Sequence, residues 1–198
     1  YKSGKSKNSE LNNTIDKTIK YIENNNDHIV SDFDISLDNS GDYQFNVSGT
    51  SLERFLSDVY GHSAVSDLKY KERNATASEV VSFLCAKAKF GIGKCTKAGD
   101  YSTFVPESGY TKSEIIKILT VRYAMNANSY QKYIATTIAE NVSKKTIAEI
   151  MENSDELDGV EISEGTIRKY NDSQYFSQII GYTGKISQDE LDSFKVKY

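Results

Sequence analysis

The sequence predicts an α+β fold of mixed helices and twisted, antiparallel-type strands. Two patterns support this fold class: apolar residues recur at helical spacing after capping motifs, and short runs alternate between apolar and polar residues. Their order lacks the regular strand–helix–strand repeat of a doubly wound sheet. A length of 198 residues fits one domain with room for an insertion.

The first predicted helix follows a polar start. Residues 1–9, rich in Lys, Ser and Gly, are predicted as a loose end. Ser9 has the character of an N-cap, and the asparagines at 24–26 end the helix. Between them, four apolar residues recur at helical spacing: Leu11, Ile15, Ile19 and Ile22.

A β-hairpin and a second helix are predicted next. Apolar and polar residues alternate loosely over 29–37 and cleanly over 43–47, with turn formers at 38–42 between them. The second helix begins at 48–50 and ends at Gly61. Its apolar residues share one face: Leu52, Phe55, Leu56 and Val59.

Two capping boxes predict the starts of helices in the middle of the chain. Thr76 with Glu79, and Thr111 with Glu114, each precede a run of apolar residues at helical spacing. Residues 94–109 lie between the two helices, contain the only proline of the chain, and are predicted as a loop.

The last third of the sequence favours strands around one helix. The β-branched run 133–139 predicts a strand, and Ser143 is the predicted cap of a helix. Gly159 precedes a predicted strand at 160–162 that continues through 166–170. A short final helix is predicted at 186–194.

These elements are interpreted as one domain over residues 1–198, with the helix-rich segment of about 49–128 as a helical head insertion. Nine residues on the apolar faces are predicted to be buried in its core: Leu52, Phe55, Ile118, Leu119, Ile138, Ile147, Ile150, Val160 and Ile179.

Charge and hydropathy exclude two classes of protein. The net charge is -4, and lysines alternate with carboxylates without a basic stripe, which argues against nucleic-acid binding. No apolar run approaches the ~18 residues that a membrane-spanning helix needs. Because the chain begins at Tyr1 and not at methionine, we interpret it as an excised soluble fragment.

No catalytic site is predicted. Ser-x-x-Lys, the nucleophile motif of penicillin-binding transpeptidases, occurs at Ser66–Lys69 and Ser129–Lys132. Its partner elements are missing: Lys-Thr-Gly does not occur, and the single Ser-x-Asn lies in the loose end. Both strings are therefore interpreted as chance in a chain rich in serine and lysine.

No metal or cofactor site is predicted either. His28 and His62 lie at element boundaries, where a surface or capping role is favoured over that of a general base. Cys85 and Cys95 form a local disulfide or stay as two unpaired thiols, and we favour the thiols. The acidic residues near the first turn lack the spacing of a calcium loop: Asp32, Asp34 and Asp38.

Several motifs, best matched from about residue 110 to the end, occur in a recognisable order. They are Arg122-Tyr-Ala124, the run 133–141, Gly159-Val160, Arg168-Lys-Tyr170 and Gly181-Tyr182-Thr-Gly184. This order resembles the N-terminal, non-catalytic pedestal or dimerisation domain of class B penicillin-binding proteins. Two departures are that the family's Arg-Gly and Asp-Arg-Asn-Gly elements and its transpeptidase domain are missing.

Two of these motifs have a structural interpretation. The turn Gly181-Tyr182-Thr-Gly184 is interpreted as a chain reversal in which glycine supplies positive φ or close backbone approach. Arg168, which shares one strand face with Tyr170, is interpreted as a clamp onto a neighbouring carboxylate, with Glu140 and Glu152 as candidates. Binding of a ligand carboxylate or phosphate by Arg168 is the alternative.

The resemblance implies a spacer and docking domain of a membrane-anchored protein, on its extracytoplasmic face, that positions a D,D-transpeptidase for peptidoglycan cross-linking. The implied partners are its own transpeptidase domain, a membrane glycosyltransferase of the shape, elongation, division and sporulation (SEDS) family, and a second copy. Two alternatives remain open. One is a stand-alone extracytoplasmic module that binds cell-wall glycan or a protein partner, and the other is a small hydrolase assembled from distant residues.

Overall fold

The computed structural model describes residues 7–97, 100, 104–106, 109–127 and 134–165. Contacts divide the chain into two units, Tyr1–Glu161 and Ile162–Tyr198, and in the second only residues 162–165 are described. The helices of the described part are α1 Lys7–Asn24, α2 Gly49–Tyr60, α3 Tyr70–Arg73, α4 Ala77–Cys85, α5 Lys112–Ala127 and α6 Lys144–Glu152, with 3₁₀ turns at Val65–Asp67 and Ser154–Glu156. The strands are β1 Ile35–Leu37, β2 Tyr43–Phe45, β3 Gly93–Cys95 and β4 Phe104–Pro106. An α+β fold is thus confirmed.

Helix α1 is the longest element of the described part and contacts both α5 and α6. It buries Ile15, Ile19 and Ile22, three of the four apolar residues that recur at helical spacing. The predicted cap at Ser9 is wrong, because residues 7–9, which we placed in a loose end, form the first turn of α1. Contacts from distant parts of the chain stabilise this turn: Asn8 donates to the Lys89 carbonyl and accepts from Arg122.

The first hairpin is confirmed but is shorter than predicted. Strands β1 and β2 pair antiparallel, with Leu37 opposite Tyr43. The Asp38 carboxylate accepts the backbone N–H groups of Ser40 and Asp42, so it closes the turn between them. Of residues 29–34, which were also predicted as strand, Ile29 forms one isolated bridge and the others lie in loop.

The helix boundaries predicted at Gly61, Thr76 and Thr111 are confirmed. Gly61 ends α2 in the left-handed region, with φ of 78°. Thr76 accepts the N–H of Glu79, whose carboxylate accepts the N–H of Thr76 in return. The box at the start of α5 has the same geometry and begins that helix as predicted.

The loop predicted at 94–109 is wrong in part, because β3 and β4 form a second antiparallel hairpin there. Gly93 lies opposite Pro106, and a Cβ at Gly93 would lie 2.3 Å from the carbonyl oxygen of Val105. Only glycine permits this approach. The sequence did not indicate these strands for two reasons. Each strand has only three residues, which is too short for a clear alternation, and β4 ends in Pro106, a residue that argues against a strand except at an edge.

Most buried apolar residues belong to one core in which α1, α2, α4, α5 and the first hairpin meet. The burial prediction is confirmed for Phe55, Ile118, Leu119 and Ile150, and Ile179 lies outside the described residues. Four other residues predicted as core are only partly buried: Leu52, Ile138, Ile147 and Val160. The head insertion over 49–128 stays a prediction.

Residues 134–165 contain the predicted helix α6 but fewer strands than expected. The strand predicted over 133–139 is wrong for residues 134–138, and that over 160–162 is wrong as well. Among the described residues, the only β-pairing of these segments is the isolated bridge between Ile29 and Ala139. The continuation through 166–170 and the helix predicted at 186–194 lie outside the described residues.

Candidate functional site

The C-terminal end of α1 holds α6 through a carboxylate. Asp27 Oδ2 accepts the backbone N–H of Ser143 at 2.8 Å and also accepts the hydroxyl of Thr146. The Thr146 residue is 0% exposed. Ser143, the predicted cap, accepts the Thr146 N–H, so local and distant caps combine at the start of α6. We call these three residues the Asp27 clamp.

A second set of contacts lies beside the Asp27 clamp. The Asn25 amide donates to the Glu149 carboxylate at 2.7 Å, and the Val30 N–H donates to the Ile138 carbonyl at 2.8 Å. A small apolar cluster completes the contact between α1 and residues 134–161: Ile22, Ile150 and Leu157 are its buried members. Together with the Asp27 clamp, these contacts form what we call the α1–α6 junction.

Electrostatics favour the charged form of Asp27. The hydrogen bond from Thr146, followed by that from the Ser143 backbone, lowers the pKa of Asp27 below its usual value, although desolvation opposes this shift. A carboxylate that accepts two donors at the first turn of a helix also interacts favourably with the helix dipole. The clamp is therefore an ionised acceptor at neutral pH.

A polar groove lies on another side of α1, against the start of α5. Two adjoining cavities of about 270 and 230 Å³ share the side chains of Asp16, Lys20 and Glu114. The Lys20 ammonium lies 2.8 Å from Asp16 and 3.0 Å from Glu114. These contacts raise the pKa of Lys20 to about 12, and donors from Thr111 and Lys20 lower the pKa of Glu114 to about 2. The charged side chains of the groove thus neutralise one another. We interpret the groove as part of the contact between α1 and α5 and not as a ligand site.

Three of the five sequence motifs are described wholly or for the most part, namely Arg122-Tyr-Ala124, the run 133–141 and Gly159-Val160, and the last two are not. Gly159 is described: it has a φ of 82° in the turn where the Val160 N–H donates to the Leu157 carbonyl at 3.0 Å. Arg168, Tyr170, Gly181, Tyr182 and Gly184 lie outside the described residues. The clamp role of Arg168 therefore stays a prediction.

The described catalytic candidate has no nucleophile geometry. The Ser66 hydroxyl donates to its neighbour Asp67, and the Lys69 ammonium lies 4.0 Å from Glu72. Lys69 is thus paired with Glu72 and not with Ser66, and a serine without the activating lysine of this motif is a weak nucleophile. The string Ser129–Lys132 lies outside the described residues.

The histidines and cysteines lie in surroundings that favour structural roles over catalysis or metal binding. His28 is exposed, and His62 Nε2 lies 2.7 Å from Glu72, whose carboxylate caps α3 by accepting the Lys69 N–H. Cys85 and Cys95 are free thiols, as we favoured, and burial raises the pKa of Cys85 far above its usual value. In the part of the chain that the structure describes, no group of three His, Cys, Asp or Glu residues could hold a metal ion.

Sequence reasoning missed the two residues that matter most at the α1–α6 junction. Asn25 was interpreted only as part of the helix end, and Asp27 was given no role, although each bonds to α6 or its cap. Their partners lie more than 100 positions away along the chain. Ser143 is the one member of the junction with a local signal, because an N-cap is readable from neighbouring residues.

Comparisons with known proteins identify one family. The family model described as "Penicillin-binding Protein dimerisation domain" matches residues 1–198. A search of curated proteins found no match. Among the described residues, no helix has the length and apolar character needed to cross a membrane.

Proposed function

This chain belongs to the penicillin-binding protein dimerisation domain family, and we propose that it is the spacer and docking domain of a membrane-anchored penicillin-binding protein. In this role it positions a D,D-transpeptidase for peptidoglycan cross-linking. The observation that carries the proposal is the family match over all 198 residues. The dimerisation domain is a non-catalytic part of these proteins, so its contribution is mechanical.

The geometry of the described residues supports a spacer. Helix α1 contacts both α5 and α6, and the contacts with α6 join residues separated by more than 100 positions. Such long-range contacts resist bending, because neither α1 nor α6 can move without breaking buried interactions. The Asp27 clamp fixes the start of α6 relative to the turn that follows α1.

Partners and location follow from the same proposal. The chain would contact its own transpeptidase domain and would offer a docking surface to a SEDS-family membrane glycosyltransferase or to a second copy. It would lie on the extracytoplasmic face of the cell membrane. No nucleic acid is among the partners, since the net charge is -4 and the lysines are dispersed.

The proposal is tested in the complete penicillin-binding protein by separating chemistry from positioning. Thr146→Val removes the hydroxyl from the Asp27 clamp. We expect peptidoglycan cross-linking to fall, while the rate of covalent labelling by a fluorescent penicillin stays unchanged. Thr76→Ala, which removes the capping hydroxyl of α4, is the matched control and should affect cross-linking less. Equal loss of labelling and cross-linking, or no loss of either, would contradict a positioning role.

The absence of chemistry in this domain has its own test. The 198-residue chain is incubated with a fluorescent penicillin, and covalent labelling is measured. We expect none, because the Ser66 hydroxyl donates to Asp67 and not to Lys69, the activating lysine that the motif would require. Stoichiometric labelling that disappears in Ser66→Ala or Ser129→Ala would refute the non-catalytic assignment.

A further inference from the structure

Helix α6 presents a second face to solvent, on the side away from α1. Its two buried residues, Thr146 and Ile150, lie at the α1–α6 junction. Four exposed residues lie on the other side of the helix, at the i, i+4, i+7 and i+8 spacing that is typical of one helix face: Lys144, Ala148, Met151 and Glu152. We call these four residues the outer face of α6. Met151 is 65% exposed, so a large apolar side chain of this face lies in water.

The charges of the outer face oppose the dipole of their own helix. Lys144 lies in the first turn of α6, and Glu152 is its last residue. A helix has partial positive charge at its N-terminus and partial negative charge at its C-terminus, so each of these side chains lies at the end that disfavours it. Helices α4 and α5 have the favourable arrangement, with Glu79 and Glu114 in their first turns. The charges of the outer face therefore do not stabilise α6 in a single chain.

These two charges also lack a partner in the part of the chain that the structure describes. Among those residues, neither the Lys144 ammonium nor the Glu152 carboxylate takes part in an ion pair. The Asp27 clamp lies on the buried side of α6, where its contacts are to Ser143 and Thr146. The outer face therefore presents an unpaired cation, an apolar side chain and an unpaired anion in this order along the helix.

This order of charges is complementary to itself in the antiparallel direction. Lys144 precedes Ala148 by as many positions as Glu152 follows it. Where two copies of α6 cross antiparallel at Ala148, Lys144 of each copy lies opposite Glu152 of the other. Each ion pair then occurs twice, which is the property of a contact with two-fold symmetry. The small side chain of Ala148 lets the helices approach closely, and the flexible Met151 side chain can fill the space beside the crossing.

We propose that the outer face of α6 binds the same face of a second copy of this chain, antiparallel and with the two-fold axis at Ala148. A helix of nine residues is about 14 Å long and buries less than the roughly 800 Å² per partner of a stable interface, so free chains associate weakly. Tethering of both copies to one membrane would raise their effective concentration. The inference rests on the proposed function for this tethering, and it assigns a surface to the second copy that the proposed function includes.

The test is sedimentation equilibrium of the 198-residue chain over a range of concentrations, with charge-reversal variants. Lys144→Glu and Glu152→Lys each turn two attractive pairs into two repulsive ones, so each should weaken self-association roughly tenfold. An equimolar mixture of the two variants should associate like the unmodified chain, because the introduced glutamate of one lies opposite the introduced lysine of the other. Both substitutions agree with the helix dipole, so the melting temperature should not fall. Lys71→Glu, which reverses an exposed charge on α3, is the matched control and should leave self-association unchanged.

A cross-linking experiment locates the axis. In the Cys95→Ser background, Ala148→Cys should form covalent dimers with a short bismaleimide faster than Ser78→Cys, which introduces an exposed thiol on α4. Three results would each overturn the proposal: a chain that stays monomeric at every concentration, a mixture of the two charge variants that associates no better than each variant alone, or equal cross-linking at positions 148 and 78. None of them affects the separation of penicillin labelling from peptidoglycan cross-linking, which tests the spacer role independently.

Discussion

Helix α1 takes part in two regions of the structure, the main core and the α1–α6 junction, and different interactions stabilise each of them. Around its N-terminal and central part lies the main core, with nineteen buried residues. At its C-terminal end the α1–α6 junction has three buried apolar residues and depends on hydrogen bonds to Asp27 and Asn25. The main core gains its stability from non-directional apolar burial, whereas the junction depends on a few groups in fixed geometry.

This difference has a consequence for how each region opens. Local unfolding is easiest where few buried apolar contacts must be broken, so the junction should open at lower free energy than the main core. Hydrogen bonds nevertheless define orientation better than apolar contacts do, because their strength falls steeply with angle. The junction is therefore suited to fix the direction of α6, and the main core to keep the domain folded.

The largest effect is expected in the main core. Ile118 is 0% exposed and lies on the buried face of α5. Ile118→Ala removes three carbon atoms and leaves a cavity, so the free energy of unfolding should fall by ~2–5 kcal/mol. Urea unfolding followed by circular dichroism measures this loss, and a loss below about 0.5 kcal/mol would place Ile118 outside the cooperative core. Hydrogen exchange should quicken in α1, α4 and α5 together.

At the junction, Thr146→Val should have a smaller and more local effect. It keeps the shape of the side chain but leaves the Asp27 carboxylate with one donor fewer, so the free energy of unfolding should fall by less than in Ile118→Ala. Hydrogen exchange should quicken at the amides of α6 and stay unchanged in α4.

The matched control for this substitution is Thr120→Val on α5. Thr120 is also a buried threonine, but its hydroxyl bonds only to the Ile116 carbonyl of its own helix. Its loss should be smaller, because no carboxylate depends on it. Equal losses of unfolding free energy in Thr146→Val and Thr120→Val would show that the bond to Asp27 stabilises the protein no more than a hydroxyl–carbonyl bond within one helix.

The two regions also differ in what the sequence could predict. The capping boxes of α4 and α5 are local, and the apolar faces of α1 and α5 follow the helical period, so their positions were predicted. The Asp27 clamp joins residues 119 positions apart, and no local pattern encodes that pairing. On α6, Met151 continues the apolar pattern of Ile147 but is 65% exposed, since periodicity does not define how wide the buried face is.

Lowering the pH should affect the junction through Asp27. Because hydrogen bonds lower the pKa of Asp27 in the folded chain, its ionised form stabilises the junction above its unfolded pKa of about 4. This contribution is lost as the pH falls below that value toward the folded pKa, where Asp27 takes up a proton. Exchange of the α6 amides, after correction for intrinsic rates, should therefore quicken as the pH is lowered from 5 to 3.

Two variants separate Asp27 from the other carboxylates in this pH experiment. Asp27→Asn should abolish the pH dependence at α6, since no group is left to titrate in the clamp. Glu114→Gln should leave it intact, because Glu114 acts at the α1–α5 groove, where its pKa is about 2. An unchanged pH profile in Asp27→Asn would assign the effect to another group.

The smallest effect is expected at the surface of the junction. Lys17 on α1 pairs with Glu156 in the 3₁₀ turn after α6, but both side chains are more than one third exposed to water. Solvent and salt screen such a pair, and ordering two long side chains costs entropy that offsets the attraction. Lys17→Gln should therefore leave the melting temperature and the α6 exchange rates unchanged at 0.15 M salt. A loss as large as that of Thr146→Val, diminishing as salt is added, would show that surface charge and not the Asp27 clamp joins α6 to α1.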